Sequence, residues 1–226
     1  MYANFFKRII DFFCALAALI VLSPLLLILI IVGAIMMQGN PFFTQQRPGK
    51  DEKIFKLIKF RTMSNAKDKD GNLLPDDVRL NGYGKFLRST SLDELGELIN
   101  ILKGDMAVIG PRPQLVRDMV FMTDEQRRRH TVRPGLSGLA QVNGRNAIAW
   151  EDKLAWDLKY IEKITFLGDV GIIFMTLGKV FKRADITREG TESDMDFGDW
   201  LLMKGQVTKE VFDEKQREAK RLLELK

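Results

Sequence analysis

The sequence predicts a mixed α/β, helix-rich protein. An N-terminal re-entrant membrane helix leads into a globular domain with a small sheet and amphipathic helices lying at the membrane surface. Three observations predict this. Residues 12–37 form an apolar run of 26 residues without a charge, and Ser23-Pro24 interrupts it. Residues 41–63 are rich in aromatic and branched side chains, the composition of strands. Further on, apolar residues recur at helical spacing in 92–102, 150–163 and 166–183.

The apolar run is long enough for a spanning helix, since ~20 residues suffice. Pro24 has no N–H for the carbonyl of Ile20 and its ring crowds that carbonyl, so the helix kinks or breaks there. Each half is ~18 Å long at 1.5 Å per residue, about half the depth of a hydrocarbon core. The Ser23 hydroxyl is placed to bond a carbonyl one turn back. Lys7 and Arg8 precede the run, and Arg47, Lys50 and Lys53 follow it. Basic flanks collect on the cytoplasmic side, so both ends read as cytoplasmic and a dive-and-return path is expected. A kinked single span is the alternative. A cleaved signal peptide does not fit, because the apolar run is too long and no small-residue cleavage site follows.

Within 41–63, Gln46-Arg47-Pro48-Gly49 reads as the turn between two extended segments. A strand over Ile54–Met63 puts Lys59 and Arg61 on one face. Residues 64–82 are polar, with Asp70-Gly71-Asn72 and Pro75-Asp76-Asp77, and read as a surface loop. The 92–102 segment is a compact amphipathic helix. Its face of Leu92, Leu95, Leu98, Ile99 and Leu102 opposes Asp93, Glu97 and Asn100. Ser91 is its expected N-cap and Gly104 its stop. Ile109-Gly110-Pro111-Arg112-Pro113 is a rigid extended turn. Asp124 to His130 is a basic helical piece. The helix over 166–183 either lies on headgroups or packs onto the core. Residues 188–226 turn acidic, then Lys/Glu/Arg-rich, and read as a charged helical appendage.

Composition narrows the chemistry. The formal net charge is +5 and the pI about 9.3, which suits an anionic membrane surface or a phosphate-rich ligand. No helix-turn-helix, zinc-finger spacing or aromatic RNA-binding motif is present, so nucleic acid is not an expected partner. Cys14 is the only cysteine and His130 the only histidine. Disulfide frameworks, thiolate metal sites and multi-histidine sites are thereby excluded. Carboxylates, Arg, Lys and a hard cation remain.

Asp93-Glu94 opens the 92–102 helix. Acids there complement the helix dipole, and Ser91-x-x-Glu94 matches a capping box, so a purely structural role is available. An ionised aspartate beside a phosphate and a hard cation is also a competent nucleophile. Mg²⁺ takes carboxylate and phosphate oxygens and needs no histidine. Lys59, Arg61, Arg88, Arg112, Arg133 and Arg145 read as lying outside long helices, in loops or strand ends. Singly each is a surface charge. As a group they suit phosphate recognition.

The motifs form an ordered set: Lys59-Phe60-Arg61-Thr62-Met63, Arg88-Ser89, Leu92-Asp93-Glu94-Leu95, Gly104-Asp105-Met106, Gly110-Pro111-Arg112-Pro113, Arg133-Pro134-Gly135, Gly138-Leu139-Ala140-Gln141 and Asn143-Gly144-Arg145-Asn146. The set resembles the bacterial sugar transferase family, the small monotopic phosphoglycosyl transferases, from residue 1 to about 187. Within it, the chain looks most like the members that initiate bacterial protein N-glycosylation. The resemblance implies transfer of a sugar 1-phosphate from a UDP-sugar donor to polyprenyl (undecaprenyl) phosphate, with release of UMP. It implies ping-pong kinetics through a covalent aspartyl-phosphosugar intermediate, Mg²⁺ as cofactor, and work at the cytoplasmic face of the bacterial inner membrane, upstream of further glycosyltransferases. Asp93 would be the nucleophile and a metal ligand. Glu94 would help position Mg²⁺ or activate the acceptor. Arg88, Arg112 and Arg145 would hold phosphates or nucleotide, with Lys59, Arg61, Pro113, Arg133 and Asp157 as further substrate-side residues. The implied organisation is a re-entrant helix over 1–40, a catalytic domain over 41–187 and the appendage over 188–226. The resemblance implies a fold of the family's own rather than a doubly wound nucleotide-binding sheet, and no Gly-rich phosphate loop follows a strand to suggest one.

Two other functions remain open on the residues alone. A membrane-surface adaptor would use the basic patch without turnover. A two-carboxylate glycosidase would need acids at least ~5 Å apart across a bond, which adjacent Asp93 and Glu94 suit poorly.

Overall fold

The computed structural model describes residues 2–144, 148–182 and 195–225. The apolar run forms two helices, α1 (Lys7–Val21) and α2 (Ser23–Met36), bent by 67°. The bend lies where Pro24 removes a donor, and the Ser23 hydroxyl donates to the Ile20 carbonyl at 2.8 Å. Among the described residues no single helix is long and apolar enough to cross a membrane; the bent pair together is. Large apolar side chains, among them Phe13, Ile20, Leu27 and Ile35, are exposed along it.

The basic N-terminal flank turns inward. Lys7 is buried, with Nζ 2.7 Å from Asp169 and 3.6 Å from Asp11. Arg8 donates to the carbonyls of Ile101 and Leu102 at 2.6 and 2.8 Å. These two charges serve the fold, so they do not report orientation as free flanking charges would.

Strands β1 (Phe42–Pro48) and β2 (Ile54–Phe60) pair antiparallel, with Gln45 opposite Leu57. The expected turn at Gln46–Gly49 is displaced. Gln46 to Pro48 remain in β1, and Gly49 to Lys53 make the reversal through left-handed Asp51 and Glu52. Pro48 is tolerated because it ends its strand. The 64–82 segment is not wholly loop: it contains α3 (Asp76–Arg79) and a bridge between Lys67 and Leu73. Helix α4 (Gly82–Thr90) follows, N-capped by Asn81, whose side chain accepts from Gly84 N–H at 2.9 Å.

The expected single helix over 92–102 is two pieces. A 3₁₀ turn (Leu92–Gly96) precedes α5 (Glu97–Lys103). Ser91 is left-handed (φ 56°) and makes no side-chain cap. Gly104 (φ 92°) ends α5 as expected. The face opposite the leucines is not exposed: Glu97 is 2% and Asn100 0% accessible. Both faces are covered because α5 lies between α1 and β2. Asn100 satisfies the buried strand by accepting from Ile58 N–H at 2.9 Å and donating to the Lys56 carbonyl at 2.8 Å.

Strand β3 (Ala107–Ile109) pairs in parallel with β4 (Gly135–Ser137). Around them lie α6 (Val116–Met119), α7 (Asp124–Arg127), α8 (Leu139–Val142), α9 (Trp150–Glu162) and α10 (Phe166–Lys182). Helix α10 packs one face, through Ile172, against Ile109 and Tyr160, and leaves Leu167 and Phe174 exposed. Last come α11 (Phe197–Met203) and α12 (Lys209–Glu224).

The described part of the expected appendage is built into the body. Phe197, Trp200 and Leu201 share a core with Met122, Trp150 and Leu154. Ala219 packs on Val116, Met119 and Val120. Two further cores join α1 to α5 through Ala15, Leu98 and Ile101, and α2 to β2 and α4 through Leu29, Phe60 and Leu87.

Candidate active site

The turn that carries Asp93 and Glu94 rests directly on β2. A Cβ at Gly96 would stand 2.8 Å from the Ile58 carbonyl oxygen, so only glycine permits this approach. The contact brings Lys59 of β2 against Glu94 and Glu97. Its Nζ lies 3.1 Å from Glu94 Oε1 and 3.0 Å from Glu97 Oε1. From the other side Arg112 donates to the same Glu94 oxygen at 2.7 Å.

Arg112 is set by backbone packing. Gly110 N–H donates to the Ser137 carbonyl at 2.9 Å and Gly135 N–H to the Pro111 carbonyl at 3.0 Å. A Cβ at Gly138 would stand 2.1 Å from the Gly110 oxygen. Buried Arg129 donates to the Arg112 carbonyl at 2.6 Å, and Asp157 holds Arg129 at 2.7 and 2.9 Å. Arg47 fixes the next residue by donating to the Pro113 carbonyl at 3.1 Å.

The charges are unevenly matched. Burial alone would raise Glu94, but Arg112 and Lys59 outweigh it and hold its carboxyl far below the usual range. Glu97 goes the other way. Burial pushes it up to about 7, with Glu94 adding and Lys59 opposing. Asp93 is raised, first by burial and then by Glu94, against Lys59, Arg112 and Arg88. The expectation that a helix dipole keeps Asp93 acidic is thus replaced by a desolvation effect, because Asp93 sits on a 3₁₀ turn against the protein body. Among the described residues Asp93 has no ion pair and no side-chain hydrogen bond.

The structure therefore assembles Lys59, Glu94 and Arg112, with Asp93 and Arg88 in electrostatic reach. Arg88 lies on α4 rather than in a loop, and its Nε donates to Thr62 Oγ1 at 3.2 Å. Other predicted residues face elsewhere. Arg61 donates to the Phe42 carbonyl at 3.3 Å, and Arg133 to the Gly104 carbonyl at 2.8 Å. Asp157 is buried on Arg129, and Pro113 contributes its carbonyl to Arg47. Arg145 lies outside the described residues. Sequence reasoning missed Glu97 and Arg129. Glu97 stands four residues after Asp93, a one-turn spacing that marks it in retrospect.

Among the described residues no group of three His, Cys, Asp or Glu side chains could hold a metal by itself. Mg²⁺ commonly takes one or two carboxylates together with substrate phosphates. Asp93, without an ion pair among the described residues, fits that mode, in which a substrate phosphate would supply the other oxygens.

Comparison with known sequences decides the family. The sequence model described as bacterial sugar transferase matches residues 2–183. The chain belongs to the bacterial sugar transferase family. Within this family it is 45% identical over 174 residues to the uncharacterized sugar transferase EpsL of Bacillus subtilis (strain 168), covering 77% of this chain and 86% of that protein. It is 38% identical over 191 residues to the UDP-glucose:undecaprenyl-phosphate glucose-1-phosphate transferase of Klebsiella pneumoniae, covering 78% and 40%. With the undecaprenyl-phosphate galactose phosphotransferase of Salmonella typhimurium it shares 33% over 199 residues, covering 80% and 41%. The chain thus spans about two fifths of the length of these last two sugar transferases. Helices α11 and α12 lie beyond the span matched to the family.

Proposed function

We propose that the protein transfers a sugar 1-phosphate from a UDP-sugar to undecaprenyl phosphate and releases UMP. The observation that carries this reading is Asp93, without an ion pair among the described residues, beside the Lys59–Glu94–Arg112 cluster. The relatives named for this reaction support it.

In this mechanism an Asp93 carboxylate oxygen attacks the β-phosphorus of the donor. The bond from that phosphorus to the bridging oxygen breaks, and the electron pair leaves with UMP. A phosphate oxygen of the acceptor then attacks the same phosphorus, and Asp93 departs as a carboxylate. A raised basicity at Asp93 suits a nucleophile. Arg112 and Lys59 stand where a diphosphate would meet them, and Glu94 keeps both in place. Mg²⁺, bound through Asp93 and the donor oxygens, would neutralise diphosphate charge. Two transfers at one phosphorus site give ping-pong kinetics.

The bent α1–α2 pair, with its exposed apolar surface, is read as a re-entrant insertion from the cytoplasmic face of the bacterial inner membrane. On this reading the site would lie level with the acceptor's phosphate. The product would pass to further glycosyltransferases. Protein N-glycosylation, with UDP-N,N'-diacetylbacillosamine as donor, is the finer reading. UDP-galactose and UDP-glucose follow from the relatives' names.

The test is UMP release from these donors with undecaprenyl phosphate, with and without EDTA, together with mass spectrometry of trapped enzyme. A phosphosugar adduct on Asp93 and loss of turnover with EDTA are expected. Ordinary turnover by Asp93→Asn removes the nucleophile assignment. Asp93 has no ion pair or side-chain hydrogen bond to lose among the described residues, so this variant should unfold within about 1 kcal/mol of the parent. Cysteines placed singly at positions 3 and 40, in a Cys14→Ser background, should label from one side of a vesicle. Labelling from opposite sides replaces the re-entrant path with a span.

A further inference from the structure

The Lys59 ammonium is shared by two carboxylates that are not equivalent. Glu94 has a second cation, since Arg112 donates to it at 2.7 Å. Glu97 has Lys59 as its one ion-pair partner among the described residues, at 3.0 Å. If Lys59 turns toward a phosphate, Glu94 keeps Arg112 and stays paired, whereas Glu97 loses the one ion pair it has among the described residues.

Glu97 cannot follow. It is 2% accessible and begins α5, which is fastened to β2 by both hydrogen bonds of the Asn100 side chain and by the close approach at Gly96. A buried carboxylate stripped of its cation is strongly unfavourable. A proton from solvent removes that penalty. We propose, building on the transferase reading, that Glu97 is a positioning residue: ionised, it holds Lys59 down between α5 and Glu94, and protonated, it releases Lys59 to a phosphate of the donor.

The charged groups around it fit this assignment. Lys59 comes from β2, Asp93 and Glu94 from the 3₁₀ turn, Arg112 from the loop after β3, and Arg47 from β1. Arg88 of α4 acts on Asp93. Burial leaves the Glu97 carboxyl titrating at about 7, where a modest change in its surroundings changes its protonation. Glu94, held far lower, stays ionised and keeps Arg112 throughout.

The experiment compares kcat/KM for the UDP-sugar between pH 5.5 and 9 in the parent and in Glu97→Gln, the neutral isostere. Groups common to both cancel in the ratio. The variant-to-parent ratio should rise about tenfold per pH unit above 7, the signature of one ionisation. Parallel profiles overturn the inference. A difference infrared titration of parent against Glu97→Gln gives a readout free of turnover. It should show one carboxyl band lost between pH 6 and 8, and a group already ionised at pH 5.5 overturns the assignment. Absence of UMP from every donor defeats the transferase reading and this inference with it. UMP release with parallel profiles defeats this inference alone.

Discussion

Arg112 and Glu94 meet at 2.7 Å, on the same carboxylate oxygen that receives Lys59 at 3.1 Å. Glu94 is therefore the anchor of two cations rather than a free base. Glu94→Gln leaves Lys59 and Arg112 sharing a charge deficit in a partly buried site. Breaking such a pair costs roughly 3–5 kcal/mol when buried, and less is expected here because the Arg112 side chain is 40% accessible. Urea unfolding should show a loss of about 1–3 kcal/mol, and UMP release should fall at least about 100-fold. A variant as stable and active as the parent would remove Glu94 from the centre of the cluster.

Asp157 is fastened to Arg129, and Arg129 to the backbone of Arg112. Asp157→Asn strands a buried guanidinium, with an expected cost of about 3–5 kcal/mol. The double variant Asp157→Leu/Arg129→Met should recover much of that stability while leaving Arg112 without its backbone support. Its KM for the donor should then stay raised. A rise in KM from Asp157→Asn with no loss in melting temperature would instead mean that Asp157 touches the donor.

His130 is 6% accessible beside Arg129. Burial, then the Arg129 charge, push its pKa down to about 3. The unfolded chain takes up this proton near the ordinary value of ~6.5. Between those values the unfolded state holds more protons, so stability falls as pH drops from about 6.5 toward 3, by up to roughly 1.4 kcal/mol per unit. Above pH 6.5 the contribution is complete. His130→Gln should flatten the acid limb of urea-unfolding free energy by one proton, and an unchanged slope would contradict the buried neutral imidazole.

Phe197 and Trp200 bind the C-terminal segment to Trp150, Leu154 and Met122. Phe197→Ala should cost about 3–5 kcal/mol. The Phe197 N–H also donates to Asp118 at 2.9 Å, and Asp118 caps α6, close after Arg112-Pro113. Calorimetry should find one cooperative transition lowered in temperature. Two separate transitions would show that α11 and α12 unfold on their own.

Much of this was legible in the chain. Proline chemistry located the bend, and Ser23 bonds the carbonyl that Pro24 cannot serve. Composition found the hairpin, although positive-φ Asp51 and Glu52 moved its turn. Periodicity found α5 but left its polar face unassigned. It separates two faces without telling whether water or a strand covers the second, so Glu97 and Asn100 read only as the face opposite the leucines. The same blindness hid α11, whose Phe197, Trp200 and Leu201 are diluted among charges. Arginines gave the opposite difficulty. Their type suits phosphate, yet Arg61, Arg129 and Arg133 satisfy carbonyls or a buried acid, and only the fold distinguishes the two uses.

Arg8 grips the closing carbonyls of α5, whose opening adjoins Asp93. The bent α1–α2 pair and the turn of Asp93 are thereby bolted together as a strut, with no slack linker between them. In the proposed insertion Asp93 would stand at one fixed height above the receiving plane, and acceptors presenting their phosphate at another depth would be rejected by distance alone.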